Sequence, residues 1–288
     1  MWKRICPNCN KEIIYKNIIS YRKACKHNTK CIKCVKLYNT KRCADLSILL
    51  EDTPESFYWI GFLLADGYFY KNRLKLVVST KDKDHIKKFA NYIKFQGSYL
   101  ENNIYFGLSC KDSVVIPKLC KKFDIKERKT YDPPKSILNF DFNLLLCLLA
   151  GFIDGDGNIQ HQNKRKDFFL RIKNHKSWYN ILQEFGSIIT DKQCVKINNQ
   201  NYAQLCITNT VILQKLKKNV LQYNLPLLTR KWDIIDLNFI DKYTKAKILH
   251  NKVIQLYKNG YKNKDIAKIC NTSPSNITRI LKTINYDN

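Results

Sequence analysis

The sequence has few acidic residues and no long hydrophobic run. It holds 24 Asp and Glu against 51 Lys and Arg in 288 residues. No run of eighteen apolar residues occurs, which excludes a transmembrane helix, and the N-terminal residues lack the apolar stretch of a signal peptide. We therefore expect an intracellular, soluble protein that does not contact membranes. A hydrophobic content of 44% is sufficient for a folded core.

The shortage of acidic residues leaves a formal net charge of +27, which indicates a polyanionic partner such as nucleic acid. The charge is concentrated at the two ends of the chain. Residues 1–47 contain 12 basic and 2 acidic residues, and residues 242–288 contain 10 and 2. This distribution predicts nucleic-acid-binding appendages on a folded core. An AT-rich genome, which raises the content of Lys, Asn and Ile, is the alternative explanation of the excess.

Six of the 12 cysteines lie within the first 43 residues. Two pairs have CxxC spacing, Cys6 with Cys9 and Cys31 with Cys34, and 21 residues separate the pairs. Each pair can direct two thiolates at one ion, so the pattern predicts a Zn²⁺ site with four sulfur ligands. Because about 40 residues bury too little apolar surface to fold alone, the metal would stabilise this module.

The residues around these pairs favour a structural zinc site over a catalytic one. A catalytic zinc needs an open position and a nearby general base, but the neighbouring charges are basic, as at Lys3, Arg4 and Lys11. We interpret the module as a zinc finger that contacts phosphates. Cys25 or His27 remains an alternative ligand.

A nine-residue segment occurs twice in the chain. WIGFLLADG at residues 59–67 recurs as LAGFIDGDG at residues 149–157, ninety residues later. After each copy come a strand-like segment, a helical segment, a pair of short strands and an apolar helix. An Arg-Lys pair follows each apolar helix and ends in Lys129 or Lys231. The repeat indicates an internal duplication.

This order of elements predicts an α+β fold made of a duplicated αββαββα unit with pseudo-twofold symmetry. Each unit would span about one hundred residues. We expect four parts: a zinc module at 1–47, a first lobe at 48–138, a second lobe at 139–241 and a C-terminal module at 242–288.

The repeated segments read as the ends of two buried helices. Thr53, Pro54 and Glu55 are typical of a helix start, Asp141 or Asn143 would begin the second helix, and a glycine ends each one. Both helices are apolar nearly all round, so both must be buried. Small residues four apart would let the two backbones pack closely. These residues are Gly61 and Ala65 in the first helix and Gly151 and Gly155 in the second.

Helices packed along these stripes would bring Asp66 and Asp156 together near the pseudo-twofold axis. Two carboxylates at helix C-termini repel each other unless divalent cations bind there. Hard oxygen ligands with open positions suit Mg²⁺, and metal-activated water can hydrolyse a phosphodiester. Lys129 and Lys231, in matching positions after the last helix of each unit, are the candidates to balance charge at the phosphate.

These motifs resemble the LAGLIDADG homing endonucleases over roughly residues 53–240. The second copy, LAGFIDGDG, is close to the family signature, and the first keeps its Gly, small residue, Asp and final Gly. The resemblance implies a monomer with two lobes whose β-sheets form a saddle over double-stranded DNA. It also implies that Asp66 and Asp156 bind the catalytic metal, and that cleavage across the minor groove leaves short 3′ overhangs.

The chain departs from the family at Leu64. Family members often have an acidic residue at this position of the repeat, and the second copy keeps one, Asp154. This position is not the metal ligand. Family members also place a polar residue on an early strand near the metal-bound waters. By this resemblance it would lie within residues 79–81 in the first lobe and 173–175 in the second.

The C-terminal segment predicts three short helices. They would cover residues 247–257, 264–270 and 275–284, with a stop at Gly260 and a sharp turn at residues 270–273. This arrangement is typical of a helix-turn-helix, which can bind DNA or protein, and the net charge favours DNA. The side chains expected to face the groove are Ser275, Asn276, Thr278, Arg279 and Lys282.

Two other functions remain open: an RNA-binding maturase that assists splicing of its own intron, and a non-cleaving DNA-binding regulator. Because both acids are present, the sequence favours a Mg²⁺-dependent DNA endonuclease. The sequence contains no protein-splicing blocks, which argues against an intein. It also contains no HNH or GIY-YIG motif, so those two nuclease types find no support. The target sequence does not follow from one sequence, because this type of recognition is spread over many strand residues and DNA bendability.

Overall fold

The computed structural model describes residues 1–32, 34, 43–162, 167–197, 201–240 and 242–284. Within these ranges the chain folds into two αββαββα lobes, flanked by a small N-terminal unit and a C-terminal group of three helices. The predicted α+β fold is therefore confirmed. Among the described helices, none combines the length and the apolar composition that crossing a membrane requires.

The two lobes contain the same elements in the same order. In the first lobe these are α2 (Pro54–Asp66), β3 (Gly67–Tyr70), β4 (Arg73–Ser79), α3 (Lys83–Tyr92), β5 (Leu100–Glu101), β6 (Tyr105–Lys111) and α4 (Val115–Lys122). In the second lobe they are α5 (Phe142–Asp156), β7 (Gly157–Gln162), β8 (Asp167–His175), α6 (Tyr179–Ile189), β9 (Val195–Ile197), β10 (Tyr202–Ile207) and α7 (Thr210–Leu221). A four-residue helix, α8 (Thr229–Trp232), follows the second lobe.

Each lobe forms a four-stranded antiparallel sheet of the same topology. The strand order is β3-β4-β6-β5 in the first lobe and β7-β8-β10-β9 in the second. The registers also correspond, since Gly67 pairs with Leu76 and Gly157 pairs with Ile172. Alternate side chains of β3, β4, β7 and β8 are buried and exposed, so one face of each sheet covers the core and the other faces solvent.

The starts of both long helices follow the expected capping chemistry. The Thr53 side chain accepts a hydrogen bond from the Ser56 backbone N–H, and Asp141 accepts from Asn143. At the C-terminal ends of these helices, glycine is not needed for a left-handed backbone conformation. Gly67 and Gly157 have φ of −74° and −77°, and each begins a strand directly. Glycine fits there because a Cβ would lie 2.5 Å from the backbone oxygen four residues earlier.

One continuous hydrophobic core extends through both lobes. It includes the buried aromatic residues Trp59, Phe62, Phe152 and Trp178. The core also takes in residues 44–50, whose last five form a 3₁₀ turn, so the chain joins the first lobe slightly before residue 48.

The N-terminal unit consists of an antiparallel hairpin and one helix. Its elements are β1 (Trp2–Ile5), β2 (Glu12–Tyr15) and α1 (Ile18–Lys26). Few of its side chains are buried, as expected of a unit that metal binding would have to stabilise.

The C-terminal helices are α9 (Lys242–Lys258), α10 (Asn263–Ile269) and α11 (Pro274–Ile284), close to the predicted ranges. They share a small core of their own, formed by Val253, Ile266, Ala267 and Ile277. Gly260 ends α9 with φ of +83°, a left-handed conformation that favours glycine.

Candidate active site at the ends of the paired helices

Helices α2 and α5 pack backbone against backbone along their small residues. A Cβ on Gly61 would lie 1.8 Å from the Leu148 carbonyl oxygen, and a Cβ on Gly151 would lie 1.8 Å from that of Tyr58. Near the C-terminal ends, a Cβ on Gly155 would lie 2.2 Å from Ala65 Cβ. No larger side chain fits at these positions without separating the helices. The four residues predicted to pack the helices therefore lie in their interface.

The last residues of these helices, Asp66 and Asp156, lie at the same end of the interface. Asp66 Oδ2 is 3.3 Å from the point that a Gly155 Cβ would occupy, so its carboxylate reaches the end of the partner helix. Desolvation by the surrounding protein and the nearby Asp156 carboxylate raise the pKa of Asp66 to about 6. Desolvation also raises the pKa of Asp156, although Lys129 and Lys231 oppose this shift. The two carboxylates thus form one acidic site, as the sequence predicts.

Lys129 and Lys231 lie beside the carboxylates and bind the ends of the helices. The Lys129 ammonium donates to the carbonyl oxygens of Leu64 and of Ala65, the latter at 2.9 Å. The Lys231 ammonium donates to three carbonyls of α5, those of Ile153 (2.9 Å), Asp154 (2.6 Å) and Gly155 (3.0 Å). The Ile153 carbonyl also accepts the backbone N–H of Gly157, and the others lie in the last turn, where a helix has no further N–H to offer. Each lysine therefore neutralises a helix C-terminus.

The lysines are therefore held by backbone groups, a role that the sequence interpretation missed. Lys231 is only 6% exposed, and desolvation lowers the pKa of both lysines although the acids oppose it. Had a lysine stood in the last turn of either helix, its position in the sequence would have suggested that it caps the C-terminal carbonyls. These two are 65 and 77 residues from carbonyls that they bind, so no local pattern identifies them.

The strand residues considered near the metal-bound waters lie in different settings in the two lobes. Asn174 on β8 donates its amide N–H to Asp156 Oδ2 at 3.2 Å. The first-lobe stretch, residues 79–81, begins at Ser79, the last residue of β4, whose side chain accepts from the Lys81 backbone N–H at 3.5 Å and caps a 3₁₀ turn. The strand registers make Ser79 equivalent to His175, so the two predicted stretches are offset by two residues. Only the second-lobe stretch, of the two considered, contacts its carboxylate.

A cavity of about 580 Å³ opens beside Asp156. Lys129, Lys173, Asn174 and His175 contribute its polar groups, and Tyr131, Trp178 and Tyr202 contribute aromatic rings. The Lys173 ammonium lies 4.2 Å from the centre of the Tyr202 ring. A concave surface with cations around a carboxylate suits a phosphate that approaches a metal site.

Asp154 lies two residues before Asp156, in a buried network that joins the two lobes. Its carboxylate accepts hydrogen bonds from Tyr58 Oη (2.7 Å), the Leu228 backbone N–H (2.8 Å) and Trp232 Nε1 (2.7 Å). His85 Nε2 lies 3.0 Å from the same Tyr58 oxygen. Asp154 is 2% exposed, and burial raises its pKa to about 6 against the effect of these bonds. Its role in the structure is to tie the lobes together.

The four cysteines of the predicted zinc site come together in the N-terminal unit. Their sulfur atoms all lie within 4.8 Å of one another, and Cys9 Sγ is 3.6 Å from Cys31 Sγ. Among the described residues this is the one group of three or more potential ligand side chains close enough to hold a metal ion. Cys25 and His27 are exposed and lie outside this group. Four convergent thiols suit a tetrahedral Zn²⁺ ion.

The side chains predicted to face a DNA groove are on α11. Ser275, Thr278, Arg279 and Lys282 are exposed, whereas Asn276 is half-buried. Asn276 donates to Thr272 Oγ1 at 2.9 Å and accepts from Arg279 Nη2 at 2.9 Å, so these side chains are partly held by one another.

A family model described as LAGLIDADG endonuclease matches residues 149–238, which contain the second repeat and most of the second lobe. No curated protein sequence matches the chain. Several solved structures resemble its fold. One is the LAGLIDADG homing endonuclease I-GzeII in complex with a DNA target, with 15% identity over 76% of this chain and 97% of that chain and a TM-score of 0.48.

Another is the LAGLIDADG meganuclease I-AabMI bound to uncleaved DNA, with 13% identity over 68% of this chain and 92% of that chain and a TM-score of 0.48. The meganuclease I-SmaMI, bound to a DNA target with calcium ions, has 14% identity, covers 80% and 98%, and has a TM-score of 0.44. These likenesses are too distant to assign roles to individual residues.

Proposed function

We propose that this chain, whose second lobe matches the LAGLIDADG endonuclease family, is a site-specific double-stranded DNA endonuclease of the homing type. One observation carries the proposal. Two duplicated helices pack through Gly61 and Gly151 so closely that their terminal carboxylates, Asp66 and Asp156, share one acidic site. A single chain then supplies both halves of a site for cutting both strands, so a monomer suffices.

The residues of this site fit divalent metal ions. Both carboxylates have raised pKa values, so a bound cation would relieve the cost of keeping them ionised. Carboxylate oxygens with open positions suit Mg²⁺, which supplies an activated water and stabilises the leaving oxygen when bound. Asp66 and Asp156 would hold such ions, one in each half of the acidic site. Lys129 and Lys231 keep positive charge beside the phosphate, and their backbone hydrogen bonds fix where that charge lies.

The solvent-facing sides of the two sheets are suited to the DNA. Exposed basic residues alternate with buried apolar ones along the central strands: Arg73 and Lys75 on β4, and Arg171 and Lys173 on β8. Such residues bind phosphates and, in the major groove, base edges. The exposed sheet faces would therefore read the target, with the carboxylates at the point where the two lobes meet.

The two terminal units would extend the contact with DNA. In the N-terminal unit, Zn²⁺ bound by Cys6, Cys9, Cys31 and Cys34 would hold a basic finger against phosphates. In the C-terminal unit, α11 would act as the recognition helix of a helix-turn-helix. Metal analysis of the purified chain should find about one zinc per molecule. A chain that folds and contains none refutes the zinc site.

Cleavage of a randomised DNA library by the full chain tests the proposed activity. With Mg²⁺, sequencing of the product ends should reveal one family of related sites cut on both strands with short 3′ overhangs. With EDTA, no cutting should occur. Binding to one site without cutting under any divalent cation would instead indicate a regulator, and binding to structured RNA alone would indicate a maturase.

A further inference from the structure

The two carboxylates end equivalent helices, but the strands beside them differ. Gly67 pairs with Leu76 and Gly157 pairs with Ile172, so two residues further along, Val78 of β4 corresponds to Asn174 of β8. Val78 packs against the hydrophobic core and has no group that can donate to a carboxylate. The preceding residues differ in the same way, with valine at position 77 and lysine at position 173.

Asn174 holds Asp156 in one orientation. Its Nδ2 donates to Asp156 Oδ2 at 3.2 Å, and its own Oδ1 accepts the backbone N–H of His175 at 2.8 Å. Both ends of the amide are therefore occupied, which fixes its rotamer and leaves the second carboxylate oxygen of Asp156 free for a ligand. Groups of this kind, which orient a metal-binding side chain, strengthen metal binding.

Asp66 has no equivalent support. Throughout the described part of the chain, no group donates a hydrogen bond to its carboxylate. The other acid on this side, Asp82, is engaged by Arg230 in a two-bond ion pair at 2.6 and 2.7 Å. A carboxylate only accepts hydrogen bonds, so Asp82 cannot replace the missing amide.

We propose that Asn174 is a positioning residue that makes the Asp156 half of the site bind its divalent cation more tightly than the Asp66 half. This inference rests on the proposed function of the two carboxylates. Its consequence is an order of events: at limiting metal, the strand served by Asp156 is cut before the strand served by Asp66. Removing the Asn174 amide should weaken metal binding at Asp156 roughly tenfold.

Terbium binding measures the inequality without cleavage. Tb³⁺ prefers oxygen ligands, as Mg²⁺ and Ca²⁺ do, and Trp178 and Tyr131 line the cavity beside Asp156, where their rings can sensitise its luminescence. Titration of the DNA-free full chain should show a tighter phase that Asp156→Asn removes. Asn174→Val should weaken that phase about tenfold, and Asn174→Gln, which keeps a donor amide, should restore part of it.

Exchange of the two residues tests the order of cutting. The double variant Val78→Asn, Asn174→Val should reverse which strand of the target is nicked first. Unchanged Tb³⁺ affinity in Asn174→Val, or no Asp156-dependent Tb³⁺ signal at all, would overturn the inference. Simultaneous cutting of both strands at limiting metal would overturn it as well, while leaving the endonuclease function intact. A chain that cuts no DNA but shows the tenfold loss of Tb³⁺ affinity would refute the proposed function alone.

Discussion

The two lobes share their helices, sheets and registers but differ in the polar contacts behind the active site. In the second lobe, the carboxylate of Asp154 binds Tyr58, Leu228 and Trp232. In the first lobe the same position is Leu64, which is buried in the apolar core. A duplicated fold therefore needs the same backbone contacts twice, but needs the buried polar tie only once.

This comparison distinguishes two kinds of contact: backbone contacts that define the fold and polar side-chain contacts that adjust the site. The glycine contacts between α2 and α5 occur in both directions: a Cβ added to Gly61 or to Gly151 would lie 1.8 Å from a backbone oxygen of the other helix. These contacts set the distance between the lobes. The polar contacts occur on one side only, since a single network already connects α2, α5 and the segment before Lys231. We expect substitutions in the first class to act alike in both lobes and those in the second class to act unequally.

The largest effect should come from Gly61→Ala and Gly151→Ala, and it should be the same for both. Each Cβ would meet a backbone carbonyl oxygen at 1.8 Å, and a backbone cannot move aside as a side chain can. We expect a loss of about 3 kcal/mol or more in the free energy of unfolding, measured by urea denaturation. Gly260→Ala is the control; its left-handed backbone is strained but open, and the cost should be about 1 kcal/mol. Tolerance of either helix substitution would contradict the packing.

The next effect should fall on the second lobe alone. Asp154→Leu copies the first-lobe residue but leaves Tyr58, Leu228 and Trp232 without the Asp154 acceptor, so we expect a loss of about 2–3 kcal/mol. Asp154→Asn keeps one oxygen acceptor and should lose about half as much. Urea denaturation at neutral pH measures both. If Asp154→Leu were as stable as the parent, the network would not hold the lobes together.

The sequence was sufficient for the symmetric features and insufficient for the asymmetric ones. The duplicated motif, the caps at Thr53 and Asp141 and the small-residue stripes are local patterns, and they predict the helices and their packing. The partners of Asp154 come from three distant parts of the chain, and His85 joins them from α3. Such contacts depend on how the lobes meet, which no local spacing encodes.

For the same reason, the contacts of Lys129, Lys231 and Asn174 could not be predicted from the sequence. The matching positions of Lys129 and Lys231 indicated a shared role, but their hydrogen bonds to helix carbonyls follow only from the folded chain. Asn174 lay within a three-residue stretch considered for the metal site. The register of β8 against β7 was needed to set it apart from Lys173 and His175.

A smaller effect should appear in the pH dependence of stability, through His85 in the first lobe. Burial lowers the pKa of His85 to about 4, so between pH 6.5 and 4 the unfolded chain binds a proton that the folded chain does not. The contribution of His85 to stability is therefore lost as the pH falls through this window. The second-lobe counterpart is Ile181, and His85→Ile should remove the dependence. Relative to this variant, the parent should lose about 2 kcal/mol between pH 7.5 and 5; parallel curves would contradict the assignment.

The smallest effect on stability should come from two contacts between the lobes, an ion pair and a buried hydrogen bond, which should differ in their dependence on salt. Asp82 of the first lobe pairs with Arg230, which is half exposed, whereas the buried Trp178 of the second lobe donates to the Lys129 carbonyl at 3.0 Å. Asp82→Asn should cost about 0.5–1 kcal/mol at low salt and less at high salt. Trp178→Phe should cost about 1 kcal/mol at both. Equal salt dependence of the two variants would show that the links do not differ in kind.

Strand-resolved cleavage of the selected target by Asp66→Asn and Asp156→Asn tests the central claim most directly. Both variants should bind the target as the parent does, and both should lose double-strand cutting by at least about a hundredfold, because each removes the metal ligand from one half of the acidic site. Asp84→Asn, which removes an exposed carboxylate on α3, should cut normally. Full double-strand cutting by either of the first two variants would show that the paired helix ends do not form the catalytic site.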